Sequence, residues 1–143
     1  MGIKQVTPEA AIIAQLNAFV EKKTKELINM LQYCGESAVR YARENGTYKD
    51  RTGNLRSSVG YLIVENGKEI THSEFNTVGG GAEGSANGLE YAREIAAANQ
   101  KGIVLIVVAG MNYATYVERR GYDVLSGSQL EAESILKQLI ARL

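Results

Sequence analysis

The chain has no tryptophan, one cysteine, one proline, one histidine and no net charge. Each scarcity removes a class of explanation. A lone thiol, Cys34, cannot close a disulfide within the chain, so the fold must rest on its core, as in proteins of reducing compartments. A single histidine, His72, leaves a catalytic triad or a histidine-rich metal set short of partners. Sixteen basic side chains against sixteen acidic ones create no field that would draw the whole molecule onto nucleic acid or an anionic membrane. The longest apolar run, Ile103 to Gly110, is far short of the ~20 residues that a spanning helix needs. The first residues carry Lys4 but no apolar stretch ending in small residues, so no secretory signal is expected. Val6 stands where a myristoylation signal needs Ser or Thr. The expectation is a protein kept in the compartment where it is made.

What is present suits a single domain over residues 1–143. A chain of 143 residues buries roughly 68% of its unfolded surface, and an apolar fraction of 45% supplies an ordinary globular core. Thr7-Pro8-Glu9 reads as a helix start: a cap, a preset φ and an acid at the positive end of the dipole. Apolar residues then recur at three- and four-residue steps from Ile12 through Leu16, Leu27, Leu31 and Cys34 to Ala42. Asn45-Gly46 is the expected left-handed stop, and Gly35 a bend point. This helix is long enough to project beyond a compact domain.

Asp50 or Thr52 can cap a short turn through Leu55. Val59 to Val64 reads as a strand, Glu65-Asn66-Gly67-Lys68 as a hairpin turn, and Ile70, His72 and Phe75 as the return strand. Alternation places His72 half-buried on the face of Ile70. Residues 77–88 read as a flexible Gly-rich loop, and Leu89 to Gln100 as a helix. Ile103 to Ala109, short, continuous and β-branched, reads as a buried central strand. Asn112 to Glu118 reads as an aromatic-rich strand or turn, and Ser128-Gln129-Leu130-Glu131 as the capping box of a last helix. The fold class is α+β: a long N-terminal helix and further helices packed on a small, mostly antiparallel sheet.

Several patterns invite a chemical reading. Gly79-Gly80-Gly81-Ala82-Glu83-Gly84 matches a GxGxxG spacing, which on a strand–turn–helix unit cradles a dinucleotide phosphate. Here the preceding strand belongs to a hairpin, the expected helix starts late, and no acid follows the next strand to hold a ribose. A mobile loop that orders in an assembly is preferred; a small nucleotide- or anion-binding enzyme using this loop is the alternative. Glu90 and Glu94 share a helix face without a cleft, so they read as solvated charges. Cys34 falls on the apolar stripe and reads as a buried, inert thiol. Arg40, Arg43, Lys49, Arg51 and Arg56, interleaved with Glu36, Glu44 and Asp50, form a weak basic patch suited to pairing between subunits. No cofactor and no metal is expected.

The densest stretch is Asp50-Arg51-Thr52-Gly53-Asn54-Leu55-Arg56-Ser57-Ser58. With Tyr48-Lys49 before it and a hairpin after it, it resembles the tail-completion or head–tail joining family of long-tailed bacteriophages, also described as neck or minor capsid proteins. Members carry a T-G-x-L-(R/K)-x-S segment after a long first helix, then an apolar strand and a Y-A-x-(Y/F)-(V/I)-E-x-G element. The latter is similar to Tyr113-Ala114-Thr115-Tyr116-Val117-Glu118 here, with Gly121 displaced by Arg119-Arg120. The resemblance implies a structural virion protein, not an enzyme, assembled in the bacterial host cytoplasm. It implies a ring of this chain with itself, hexameric by analogy, between connector or head-completion proteins and the tail tube, with DNA passing through unbound and no membrane involved. The interface residues expected on this basis are Arg51, Asn54 and Arg56, then Gly79, Gly80, Gly81 and Glu83, then Tyr116, Glu118, Arg119 and Arg120.

Overall fold

The computed structural model describes residues 2, 8–50, 52–112 and 114–142, with the backbone alone at Tyr116. The expected cap Thr7 and the expected interface residue Arg51 lie outside the described residues, as do Tyr113 and the side chain of Tyr116. The elements in order are α1 (Glu9–Asn45), α2 (Asn54–Ser57), β1 (Val59–Glu65), β2 (Lys68–His72), α3 (Ala82–Ala97), β3 (Ile103–Ala109), α4 (Ala114–Arg119) and α5 (Ser126–Ile140). The three strands form one antiparallel sheet in the order β2-β1-β3. The class is α+β, with a long N-terminal helix and further helices on this sheet.

β1 organises the core because it is buried on both faces. Val59, Tyr61 and Ile63 point to one side, where they meet Leu31, Val39 and Ala42 of α1 and, at the margin, Leu125 and Leu136. Leu62 and Val64 point to the other, against Ala92 and Ala96 of α3. Each such buried aliphatic side chain stabilises the fold by about 2 kcal/mol. The result is three layers: α1 with α5, the sheet, and α3.

α1 holds 37 residues, about 55 Å of helix. Its fully buried residues all lie between Leu31 and Ala42. The first half carries Ile12, Ile13, Leu16, Phe19 and Val20 between 41% and 60% exposed. Gly35, the expected bend point, is where the Tyr61 ring lies against the helix; a Cβ there would sit 2.8 Å from the ring. Tyr61 donates its hydroxyl proton to Glu36 Oε1 at 2.6 Å. Burial, and then the Glu36 carboxylate, push the Tyr61 pKa well up. Cys34 is buried, as expected, and burial raises its thiol pKa.

The hairpin forms as the sequence indicates, with Asn66 at φ 50° and Gly67 at φ 82°, the pair of positive angles that a two-residue turn requires. Other expectations need correction. The return strand ends at His72, which is exposed, 3.7 Å from Glu69, rather than half-buried. Phe75 lies beyond the strand and covers Gly60, where a Cβ would meet its ring at 2.3 Å. Gly46 is extended at φ −61°, not left-handed. Residues 82–88 are the first turns of α3 rather than loop. Isolated glycines argue against helix, but Gly84 and Gly88 let α3 touch backbone. A Cβ on them would lie 1.9 Å from the Asn54 carbonyl oxygen and 2.5 Å from that of Ser58. Residues 114–119 form the short helix α4, where a strand or turn was expected. The last helix begins at Ser126, not at the Ser128 box; the Ser128 hydroxyl donates to the Leu125 carbonyl at 2.7 Å. The largest correction concerns β3. Its run of seven apolar residues suggests a central strand, yet among the described residues it has only β1 as a neighbour and lies at the sheet edge.

Candidate assembly surface

The Thr52–Ser58 segment is where α1, α2, α3 and β1 are tied together. Asp50 accepts from the N–H groups of Leu55 at 3.4 Å and Arg56 at 2.9 Å, and Thr52 Oγ1 from that of Asn54 at 3.3 Å. These satisfy donors that the first turn of a helix leaves open. Gly53, at φ 79°, passes so close to Val78 that a Cβ would fall 1.9 Å from its carbonyl oxygen. Asn54 Oδ1 accepts from the Gly84 N–H in the first turn of α3 at 3.1 Å. Leu55 enters the core. Ser57 Oγ accepts from the Val78 N–H at 2.8 Å, and the Ser58 hydroxyl donates to the Leu55 carbonyl at 2.7 Å.

Arg56 closes the knot. Its guanidinium donates to the Arg43 carbonyl at 3.2 Å and the Gly46 carbonyl at 2.8 Å, and lies over the Tyr48 ring at 4.6 Å. A cation thus meets the negative end of the α1 dipole and accounts for the helix stop. Arg43 in turn donates to the Asn76 carbonyl. Burial lowers the Arg43 pKa, against a raising influence of Tyr48. Arg56 and Asn54 are therefore engaged within one subunit.

The other expected site residues divide in the same way. Gly81 is buried, with room for no Cβ: Ser57 Oγ would be 2.2 Å away. Gly79, Gly80, Glu83, Arg119 and Arg120 are exposed. Glu118 is half-buried. One of its oxygens accepts from the N–H groups of Val124, Leu125 and Ser126 at 3.1, 2.5 and 3.0 Å, and the other from the Ser126 hydroxyl at 2.8 Å. Burial works against its charge, but the bonds from Leu125, Ser126 and Val124 outweigh it and hold the carboxyl below its ordinary pKa. Glu118 is the anion at the N-terminus of α5.

The GxGxxG segment does sit directly before a helix, closer than its sequence suggested. Two of its donors are turned inward, however: the Gly81 N–H to the Val78 carbonyl at 3.1 Å and the Gly84 N–H to Asn54. Gly81 and Gly84 serve close contact between α3 and α2. Among the described residues, no three His, Cys, Asp or Glu side chains come together as a metal set.

The surface that sequence reasoning missed runs along β3. The pairing of β1 and β3, with the Gly110 N–H on the Ser58 carbonyl and the Asn66 N–H on that of Gly102, directs the even-numbered backbone groups of β3 toward β1. By the alternation of an antiparallel ladder, the N–H and C=O groups of Ile103, Leu105 and Val107 point away from the sheet. None of them has a hydrogen-bond partner among the described residues. Beside this edge lies a groove of about 580 Å³, bounded by β3, by Leu31, Cys34 and Ala38 of α1, and by Ala132 and Leu136 of α5. A second hollow adjoins Val107 to Ala109 on the α3 and α4 side. Its sequence signal was present in the central-strand pattern of β3, but a pattern does not count neighbours. No family model, no curated protein and no solved structure matches this chain.

Proposed function

We propose that this chain is a structural virion protein of a bacteriophage or prophage, a subunit of a ring at the junction of head and tail. The observation that carries this reading is apolar surface left uncovered in the single chain. The stripe from Ile12 to Val20 on α1 is exposed, and β3 presents an unguarded apolar edge. Contiguous apolar surface of this kind marks contact sites, and soluble monomers guard their sheet edges. The resemblance of Thr52–Ser58 and of residues 113–118 to tail-completion proteins supplies the biological setting. A net charge of zero suits a conduit past which DNA slides without being held. The ring would contact connector or head-completion proteins on one side and the tail tube on the other.

Deleting the gene from the phage that encodes it and inspecting lysates by electron microscopy tests the reading. Filled heads and finished tails that fail to join are expected, with joining restored when the protein is added back. Normal, infectious particles from the deletion would overturn the proposal. Saturable binding of a dinucleotide, abolished by substituting the exposed Gly80, where a side chain has room, would favour the enzyme alternative instead.

A further inference from the structure

β3 carries the sequence of a central strand and occupies an edge. Seven apolar residues in a row, four of them only partly buried, are what a strand covered on both faces and both sides looks like. The usual edge guards, a charge, a proline or a bulge, are absent from Ile103–Ala109. The helix layer gives the same indication. α1 packs on β1 and β3, while α5 packs on α1. The space beside β3 and under α5 is the groove already described, as though the sheet were one strand short of its helices.

The opposite edge is also open, though it carries Lys68, Glu69 and a bulge at Ile70, where the register shifts between Ile63 and Val64. β2 is a strand with little helix cover: Lys68, Glu69, Ile70 and His72 are all exposed, and α1 and α3 pack chiefly on β1 and β3. The register Leu62–His72 is a non-hydrogen-bonded pair, because the backbone of Leu62 serves β3. The N–H of His72 therefore points outward. One charge matches as well. Lys68 lies on the β2 edge, beside Glu69, which Arg93 engages at 3.1 and 3.4 Å. Glu133 lines the groove beside β3, where Glu118 is already committed to the N-terminus of α5.

We infer that β2 of a second copy of this chain takes the empty position beside β3, so that the sheet continues from subunit to subunit. Within one chain β1 stands between the two edges, so the contact can form only in trans. It joins unlike surfaces, and contacts of that type close into rings when the rotation permits. Strand addition would satisfy the outward groups of Ile103, Leu105 and Val107 and bring Ile70, 40% exposed in the single chain, under α5. The inference rests on the ring proposed above and names the joint that holds it.

Proline placed at an outward-facing N–H removes the donor for a neighbour while sparing the ladder within the chain. His72→Pro breaks the β2 side of the joint and Leu105→Pro the β3 side. Native mass spectrometry of the full chain should give an oligomer for the wild type and monomers for each variant, with folding checked by circular dichroism. A mixture of the two variants should give heterodimers and nothing larger, because one good joint remains between them. If Leu105→Pro does not fold, amide exchange on the wild type decides. Ile103, Leu105 and Val107 should be protected in the oligomer and exchange freely on dilution to monomer, while Val104, Ile106 and Val108 stay protected in both. A monomeric wild type, wild-type assembly by His72→Pro, a folded Leu105→Pro that assembles as wild type, a folded pair that stays monomeric on mixing, or free exchange of the three outward amides in the oligomer each overturns the inference. A ring that survives both substitutions removes this joint but leaves the ring reading standing. Phage that join heads to tails without the protein remove that reading whatever the joint.

Discussion

The Thr52–Ser58 knot and the β3 edge are built from opposite materials. In the knot, polar side chains and backbone groups are spent on one another: Asn54 on α3, Arg56 on the end of α1, Ser57 on Val78. At the β3 edge, side chains are all apolar and three residues keep outward backbone groups without a partner among the described residues. The bonds of the first region run within the subunit. The second keeps backbone groups open at the edge of the sheet. The motif richest in charge and turn formers therefore holds the subunit together, and the plain hydrophobic run is the better candidate for assembly.

That contrast makes substitutions separable. Changes in the knot should lower the stability of the monomer, and changes on the open surfaces should not. The largest effect is expected from Gly84→Ala. Its methyl group would lie 1.9 Å from the Asn54 carbonyl oxygen, backbone that cannot step aside, so α3 must part from α2 at a cost of about 3 kcal/mol. Urea unfolding should show the lowered midpoint. Arg56→Ala removes two bonds to α1 carbonyls and the contact with Tyr48; about 2 kcal/mol should be lost, and Lys in its place should recover only part, lacking the guanidinium fork.

Glu118→Gln should cost about 1 kcal/mol at neutral pH, and pH provides a finer test. The folded state holds the Glu118 pKa below its ordinary value. Its contribution is therefore complete above the unfolded pKa of about 4.3 and is lost as pH falls through the folded value. A plot of stability against pH should be shallower for Glu118→Gln on the acid side. The smallest effect on stability is expected from Phe19→Ser. Phe19 is 59% exposed, so monomer stability should change by less than about 0.5 kcal/mol, with a measurable fall in self-association by sedimentation. Loss of monomer stability at Phe19, or none at Gly84, would break the contrast.

Much of the fold was legible in the residues. The three- and four-residue spacing gave α1 almost to its observed ends, and Asn66-Gly67 gave the hairpin. The errors share a cause: local rules lost to contacts distant in sequence. The glycines of 84–88 read as breakers because their tolerance in a helix depends on Asn54 and Ser58 pressing against them. α5 took its N-terminal anion from Glu118 rather than from its own capping box. Arg56 and Glu118 are expected at an interface and make their bonds within the subunit; charge alone does not tell a residue committed within the subunit from one left for a neighbour.

By itself the sequence determined the class, the long helix, the turn and the burial of Cys34, because periodicity and turn chemistry act over a few residues. In the unbroken apolar run of Ile103–Ala109 it suggested a central strand. Only the tertiary structure decided that this strand lies at the edge of the sheet. Strand order and the groove between β3 and α5 depend on how distant segments meet, and no short-range pattern encodes them.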